Sequence, residues 1–249
     1  MARAAVLGGL SWRVATARRF VDETASARTI AFEVPGWPGH LAGQHVDVRL
    51  TAPDGYTATR AYSIASAPDG ELVEITVARV PDGEVSPYLT TDMRAGDQVE
   101  VRGPLGGWFV WRPEQTEPVQ LLAGGVGLVP LMAMIRTRAA AGIPTPMHLL
   151  CSVRDPTAAL YRTELAAERA RVDGAAVTWQ YTRTAPSNGG RVGRLDLEVL
   201  QRATLPPSER PTSYVCGPTG FVETASALLV ESGHAPASIR AERFGPTGG

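Results

Sequence analysis

The sequence predicts an antiparallel β-barrel followed by a doubly wound parallel α/β sheet, and three observations predict it. From Trp12 to Arg102 the chain is a series of short β-branched or alternating runs separated by Gly and Pro. From Val119 onward, compact apolar runs alternate with stretches of helical period. Between the two regimes lies Arg112-Pro113-Glu114-Gln115-Thr116-Glu117-Pro118, polar and flanked by prolines. The expected domains are therefore a barrel over residues 1–112 and an α/β domain over residues 113–249, and 249 residues suffice for two cores.

In the first half the expected strands are Trp12 to Phe20, Thr29 to Val34, His45 to Leu50, Arg60 to Ile64, Leu72 to Arg79 and Gln98 to Arg102. Pro35 to Gly39 is a loop, and Gly43-Gln44 opens the third strand. The fourth strand carries the chemistry. Arg60, Tyr62 and Ile64 share one face of it, with Ala61, Ser63 and Ala65 on the other. A guanidinium that forks onto phosphate oxygens, a phenol that lies on a ring face and a hydroxyl across the pleat suit a ligand that is part pyrophosphate and part flat ring, such as a flavin dinucleotide. Taken alone, the same residues equally make an edge strand with a solvated Arg60 and a half-buried Tyr62. Pro81 to Pro87 then leads into a short helix, Pro87 to Asp92, with Ser86 at the N-cap and Pro87 at the first helical position. The N–H groups of such a start can receive a phosphate. Val101 to Phe109 places three glycines beside a proline and two aromatics, which serves either close approach to a ligand or a barrel corner.

In the second half Val119 to Ala123 is the kind of run buried in a parallel sheet, and it leads into Gly124-Gly125-Val126-Gly127-Leu128-Val129-Pro130. Leu131, Met134, Ile135 and Arg138 then read as an amphipathic helix, with Pro130 at its start. A strand, a glycine turn and a helix form a phosphate cradle. The alternation continues with strands at Met147 to Val153, Val177 to Tyr181, Ser213 to Cys216 and Ile239 to Phe244. The helices between them are Leu160 to Arg171, Asp196 to Arg202 and Phe221 to Ser232. Ligands of such sheets lie at the carboxyl ends of the strands, here Gly124 to Gly127, Ser152 to Arg154, Thr182-Arg183 and Cys216 to Gly220.

Composition sets the exclusions. Hydrophobic residues at 44% and charged residues at 20% are ordinary for a globular chain. A net charge of -1 argues against broad attraction to nucleic acid or acidic lipid. Met1 to Leu10 lacks the hydrophobic core of a signal peptide, and no segment approaches the roughly 20 apolar residues of a spanning helix, so a cytoplasmic location is expected. Cys151 and Cys216 cannot supply the four thiolates of an iron–sulfur cluster. His40, His45, His148 and His234 have no metal-ligand spacing, so no metal is expected.

The ordered set Arg60-x-Tyr62-Ser63, Gly83-x-x-Ser86, Gly103-Pro104-x-Gly106, Gly124-Gly125-x-Gly127-x-x-Pro130, Cys216-Gly217-Pro218 and Phe244 near the end resembles the ferredoxin:NADP reductase superfamily over almost the whole chain. The resemblance implies FAD on the barrel and NADPH or NADH on the α/β domain. It implies that Arg60 binds the FAD pyrophosphate, that Tyr62 stacks on the flavin ring and that Ser63 bonds near its reactive nitrogen. Ile64, Gly83, Val85 and Ser86 complete the flavin set. Gly124, Gly125, Gly127 and Pro130 would admit the nicotinamide dinucleotide, with Cys216, Gly217 and Pro218 beside the nicotinamide. Cys216 has a second reading, as a small residue filling a strand end. Glu242 and Phe244 resemble the family's terminal acid and aromatic at the flavin. Thr182-Arg183 stands where relatives place a Ser-Arg pair for the NADPH 2′-phosphate, with Arg154 and Arg191 as helpers, and gives a slight lean to NADPH.

Two departures accompany the resemblance. Gly245-Pro246-Thr247-Gly248-Gly249 extends past Phe244, where some relatives end on the aromatic. The fused two-iron domain common among oxygenase reductases is absent from the sequence, so a separate reductase component is expected. A flavin takes electrons in pairs and releases them singly, so positioning alone suffices for a hydride relay and no acid–base dyad is needed. The leading expectation is an FAD-dependent NAD(P)H oxidoreductase serving a ferredoxin or an oxygenase. The alternatives are a reductase of free flavin or ferric chelates, and a non-catalytic flavin-binding subunit.

Overall fold

The computed structural model describes residues 11–187 and 191–245. The tail residues 246–249 and the amino-terminal residues 1–10, both interpreted from sequence above, lie outside the described residues. The first six strands are β1 (Trp12–Thr24), β2 (Ala27–Glu33), β3 (His45–Thr51), β4 (Thr57–Ser63), β5 (Leu72–Ala78) and β6 (Gln98–Leu105). They form one antiparallel sheet in the order β4-β3-β6-β1-β2-β5. A bridge between Ile64 and Ile75 joins the end of β4 to β5 and closes the sheet into a barrel. Alternate residues fill its interior, among them Ala15, Ile30, Phe32, Val46, Val48, Ile64 and Ile75. β1 runs to Thr24, beyond the expected Phe20, because register shifts after Ala17 and Asp22 let it bend and keep pairing with β2.

The second half holds β7 (Val119–Gly124), β8 (Met147–Val153), β9 (Ala176–Tyr181), β10 (Thr212–Pro218) and β11 (Ile239–Phe244) in the parallel order β11-β10-β7-β8-β9. The helices are α1 (Leu128–Ala141), α2 (Arg162–Ala170), α3 (Leu197–Ala203) and α4 (Thr219–Glu231). The central strand β7 is buried throughout. Its alternate residues serve two faces. Leu121 and Ala123 pack with α1 and α2, whereas Leu122 packs with α3 and α4. Asp196 caps α3 by accepting from the Val199 N–H at 2.9 Å, and Gly142, at φ 63°, ends α1 in the left-handed conformation.

α1 is not the amphipathic helix expected. Leu128 to Ile135 are all buried, because one side of α1 faces the sheet and the other faces the barrel. Ala42, Ala65, Phe109 and Trp111 from the first half belong to the same apolar cluster as α1 and the sheet. Tyr214 donates to the Val110 carbonyl at 2.8 Å, and Arg240 donates to the same oxygen at 2.7 Å. No described helix is long and apolar enough to cross a membrane.

Candidate functional site

On β4 the residue order produces the two faces expected. Tyr62 is half-buried against the barrel core, and burial pushes its phenol up to about 12, opposed by Arg60. Arg60 donates to Glu84 at 3.1 Å and to the Thr59 carbonyl at 2.8 Å. Glu84 also accepts from the Tyr56 hydroxyl at 2.7 Å. A cavity of about 660 Å³ begins at this group and runs along Ala58, Leu50 and Tyr88. Ser63 is buried, and its hydroxyl has no partner among the described residues. A buried hydroxyl without a partner calls for a ligand or water, so the strand fits the flavin that its sequence suggests.

Three of the expected flavin contacts change character. Ser86 does not cap the short helical turn. Its hydroxyl accepts from the Val80 N–H at 3.0 Å and ties off the loop that contains Gly83, and Ser86 and Pro87 are themselves helical ahead of the wider turn Tyr88–Asp92. Val85 and Ile64 are barrel-core residues, so neither side chain is open to a ligand, and the Ile64 N–H donates to the Gln44 carbonyl.

The second cleft lies at the switch point, where the carboxyl ends of β7 and β10 diverge. Two adjoining cavities of about 360 and 340 Å³ share Ser152, Thr182, Pro218 and Phe221. Gly124 and Gly125 line the larger, which is walled on the barrel side by Thr24, Ser26, Ala27 and Ala78. The glycines differ in their reasons. Gly125, at φ 54°, faces open space. A Cβ on Gly127 would stand 2.0 Å from the Cys216 carbonyl oxygen, and one on Gly124 would stand 2.7 Å from the Phe221 ring, so these two serve close packing. Pro130 is buried in the first turn of α1, where its missing N–H has no helical partner to lose.

Cys216 is buried in the core between α1 and the sheet, as its second reading has it, and burial raises its thiol well above the usual value. Gly217 and Pro218 continue β10 to the mouth of the cleft. In register on β11, Glu242 pairs with Cys216 and Phe244 with Pro218. One Glu242 carboxylate oxygen is buried without a partner among the described residues, and burial lifts its pKa to about 7.

Of the expected adenosine-side residues, Thr182 and Arg154 line the cleft. Arg183 is exposed beyond it, and Arg191 is already engaged by Asp196 at 2.6 Å and Glu198 at 2.9 Å, which removes it as a ready phosphate ligand. The sequence reading missed Phe221, Arg194 and the Thr24–Ala27 hairpin. Phe221 read only as a helix residue, and nothing local in the hairpin signals that the fold carries it across to the other domain. Among the described residues, no group of three or more His, Cys, Asp or Glu side chains is placed to hold a metal.

Residues 21–110 match the oxidoreductase FAD-binding domain family, and residues 121–227 match the oxidoreductase NAD-binding domain family. The chain is 31% identical over 206 residues to the ferredoxin–NAD(P)(+) reductase component of the naphthalene 1,2-dioxygenase/salicylate 5-hydroxylase systems of a Ralstonia species, covering 83% of this chain and 61% of that one. It is 30% identical over 234 residues to the glycine betaine monooxygenase reductase subunit of Pseudomonas aeruginosa, covering 92% and 63%. It therefore spans about three fifths of the length of these curated relatives. The flavohem-like FAD/NAD-binding domain of nitric oxide dioxygenase from Vibrio cholerae superposes with a TM-score of 0.83 at 26% identity, covering 94% of this chain and 99% of that domain. A ferredoxin NADP+ reductase from Neisseria gonorrhoeae shares the fold at a TM-score of 0.79 and 21% identity, covering 93% and 98%.

Proposed function

The chain belongs to the ferredoxin:NADP reductase superfamily, an FAD-binding domain followed by an NAD-binding domain, and from that premise we propose that it moves hydride from NADPH or NADH to FAD and passes electrons to a separate oxygenase component or ferredoxin. The observation that carries the reading is the buried hydroxyl of Ser63, which has no partner among the described residues and lies on the strand that also presents Arg60 and Tyr62. Bound FAD supplies the exchange between two-electron and one-electron steps.

The residues of this chain bind, orient and exclude water. Arg60, now on the partly exposed Glu84, would hold the pyrophosphate, and the cavity past Tyr56 and Ala58 has room for the rest of the dinucleotide. Tyr62 would hold the flavin ring, and Ser63 has a hydroxyl, without a partner among the described residues, to donate to it. Gly125 leaves room at the start of α1 for the nicotinamide dinucleotide, with Pro218 and Phe221 as the wall of its cleft. Glu242 and Phe244 would border the flavin, with burial letting Glu242 hold its proton to higher pH than an exposed carboxyl. Thr182 and Arg154 attend the adenosine side, and Arg183 reads a 2′-phosphate from outside the cleft. We place the domain boundary between residues 112 and 113.

The names of the relatives favour a protein acceptor over free flavin or ferric chelates. The test is direct. Purified protein saturated with FAD is mixed anaerobically with NADPH or NADH, and bleaching of the flavin band is followed by addition of a ferredoxin, an oxygenase iron protein, free flavin or a ferric chelate. Bleaching with fastest turnover on an iron protein supports the reading. Protein that stays colourless and inert after FAD addition sinks it, and fastest turnover on free flavin would replace it with the small-acceptor alternative.

A further inference from the structure

Arg136 lies on α1, the helix that the Gly125–Gly127 turn opens, yet most of its partners are elsewhere. Its guanidinium forks onto Glu164 of α2 at 2.8 and 2.6 Å. The remaining nitrogen donates across the seam to the Ala65 carbonyl and to Glu74 of β5, both at 3.0 Å. The guanidinium also lies over the Tyr161 ring, 5.1 Å from its centre. Only 19% of the side chain is exposed, and 15% of that of Glu74. Tyr161 extends the junction, with its hydroxyl against Thr76 of β5 and its N–H donating to Glu23 of β1 at 3.1 Å.

Ala65 follows Tyr62, Ser63 and Ile64 directly, and its own N–H donates to the Glu74 carbonyl at 2.7 Å. One guanidinium therefore ties the end of the flavin strand to the helix whose start forms the nicotinamide cleft. Hydride transfer needs the two reacting atoms about 3–3.5 Å apart, and a displacement of about 1 Å costs on the order of a hundredfold in rate. The relative placement of the barrel and the α/β domain sets that separation. We propose that Arg136 is a positioning residue for hydride transfer, holding the two domains at the working separation through Ala65, Glu74 and Glu164. Lysine cannot replace it fully, because a single ammonium cannot fork onto Glu164 while also reaching Ala65 and Glu74.

The inference rests on the hydride-transfer reading above, and the experiment separates the two. Wild type, Arg136→Gln, Arg136→Lys and Glu164→Gln are loaded with FAD and followed by anaerobic stopped flow with NADPH and with NADH. In a parallel series the flavin is reduced with dithionite and reoxidised with ferricyanide, a cycle that does not cross the seam. The expected result is a limiting bleaching rate roughly 10- to 100-fold lower in Arg136→Gln. Arg136→Lys and Glu164→Gln should fall between it and wild type. The long-wavelength charge-transfer band should weaken, while nicotinamide half-saturation and ferricyanide reoxidation stay unchanged. A wild-type bleaching rate in Arg136→Gln, or an equal fall in the ferricyanide cycle, overturns the positioning role and leaves the function standing. Absence of bleaching in wild type overturns both. Should Arg136→Gln fail to fold, Glu164→Gln decides alone, because it removes a partly exposed carboxylate and only the fork.

Discussion

Glu242 ends up with one carboxylate oxygen buried and without a partner among the described residues, and burial raises its pKa from 4.5 to about 7. The folded state therefore binds a proton that the unfolded state has released between those two values. Stability must fall as pH rises through that window, by as much as ~3 kcal/mol at its upper end. Glu242→Gln should remove this contribution. In urea titrations from pH 4.5 to 8, the variant should gain on wild type as pH rises, and parallel curves would show that the carboxyl is not held protonated. Arg60 makes the second prediction at this scale. A charge-assisted contact to phosphate is worth about 1.5–3 kcal/mol, so Arg60→Ala should raise the FAD dissociation constant roughly tenfold or more. Its present partner Glu84 is about half exposed, so releasing it costs little. Equilibrium dialysis showing unchanged FAD affinity would remove Arg60 from the flavin site.

The glycine turn between β7 and α1 separates binding from packing within three residues. Gly127 has the Cys216 carbonyl in the place of a side chain, so Gly127→Ala should push α1 off the sheet and cost about 1–3 kcal/mol. Gly125→Ala meets open space and strains only the left-handed backbone, at about 1–2 kcal/mol, but it narrows the cleft. Thermal unfolding should rank Gly127→Ala as less stable, while nicotinamide half-saturation should rise more in Gly125→Ala. The reverse order would mean that the cleft is misassigned. The same turn marks what the sequence disclosed. The strand, turn and helix were legible because apolar runs and glycines are local signals. That α1 is buried on both sides was not, since the burying residues Ala42, Phe109 and Trp111 come from the other half. Ser86 looked like a helix cap because Ser-Pro before a helical stretch is the usual signal. The Val80 N–H took its hydroxyl instead. Arg191 looked available because Asp196 and Glu198 read only as the start of the next helix.

At the scale of the whole molecule, the barrel keeps its own interior, but a second apolar cluster is built from both halves and couples their folding. Ala42, Ala65, Phe109 and Trp111 of the barrel half pack in the same cluster as α1 and the sheet. The half-buried Arg136 junction and the Tyr214 and Arg240 bonds to Val110 add polar ties to it. Domain pairs joined only by a small polar interface move and melt separately. Burying fully enclosed aromatic and aliphatic side chains across the join couples the two transitions instead. Calorimetry should therefore give one transition whose van't Hoff and calorimetric enthalpies agree. A fragment of residues 11–112 should bind a hydrophobic dye through its uncovered Phe109 and Trp111. Two resolved transitions, or a fragment with sharp near-ultraviolet dichroism and no dye binding, would mean that the join is loose. A loose join cannot fix the separation of two rings to within an ångström, so the same result would count against positioning by the protein frame as the source of the hydride-transfer rate.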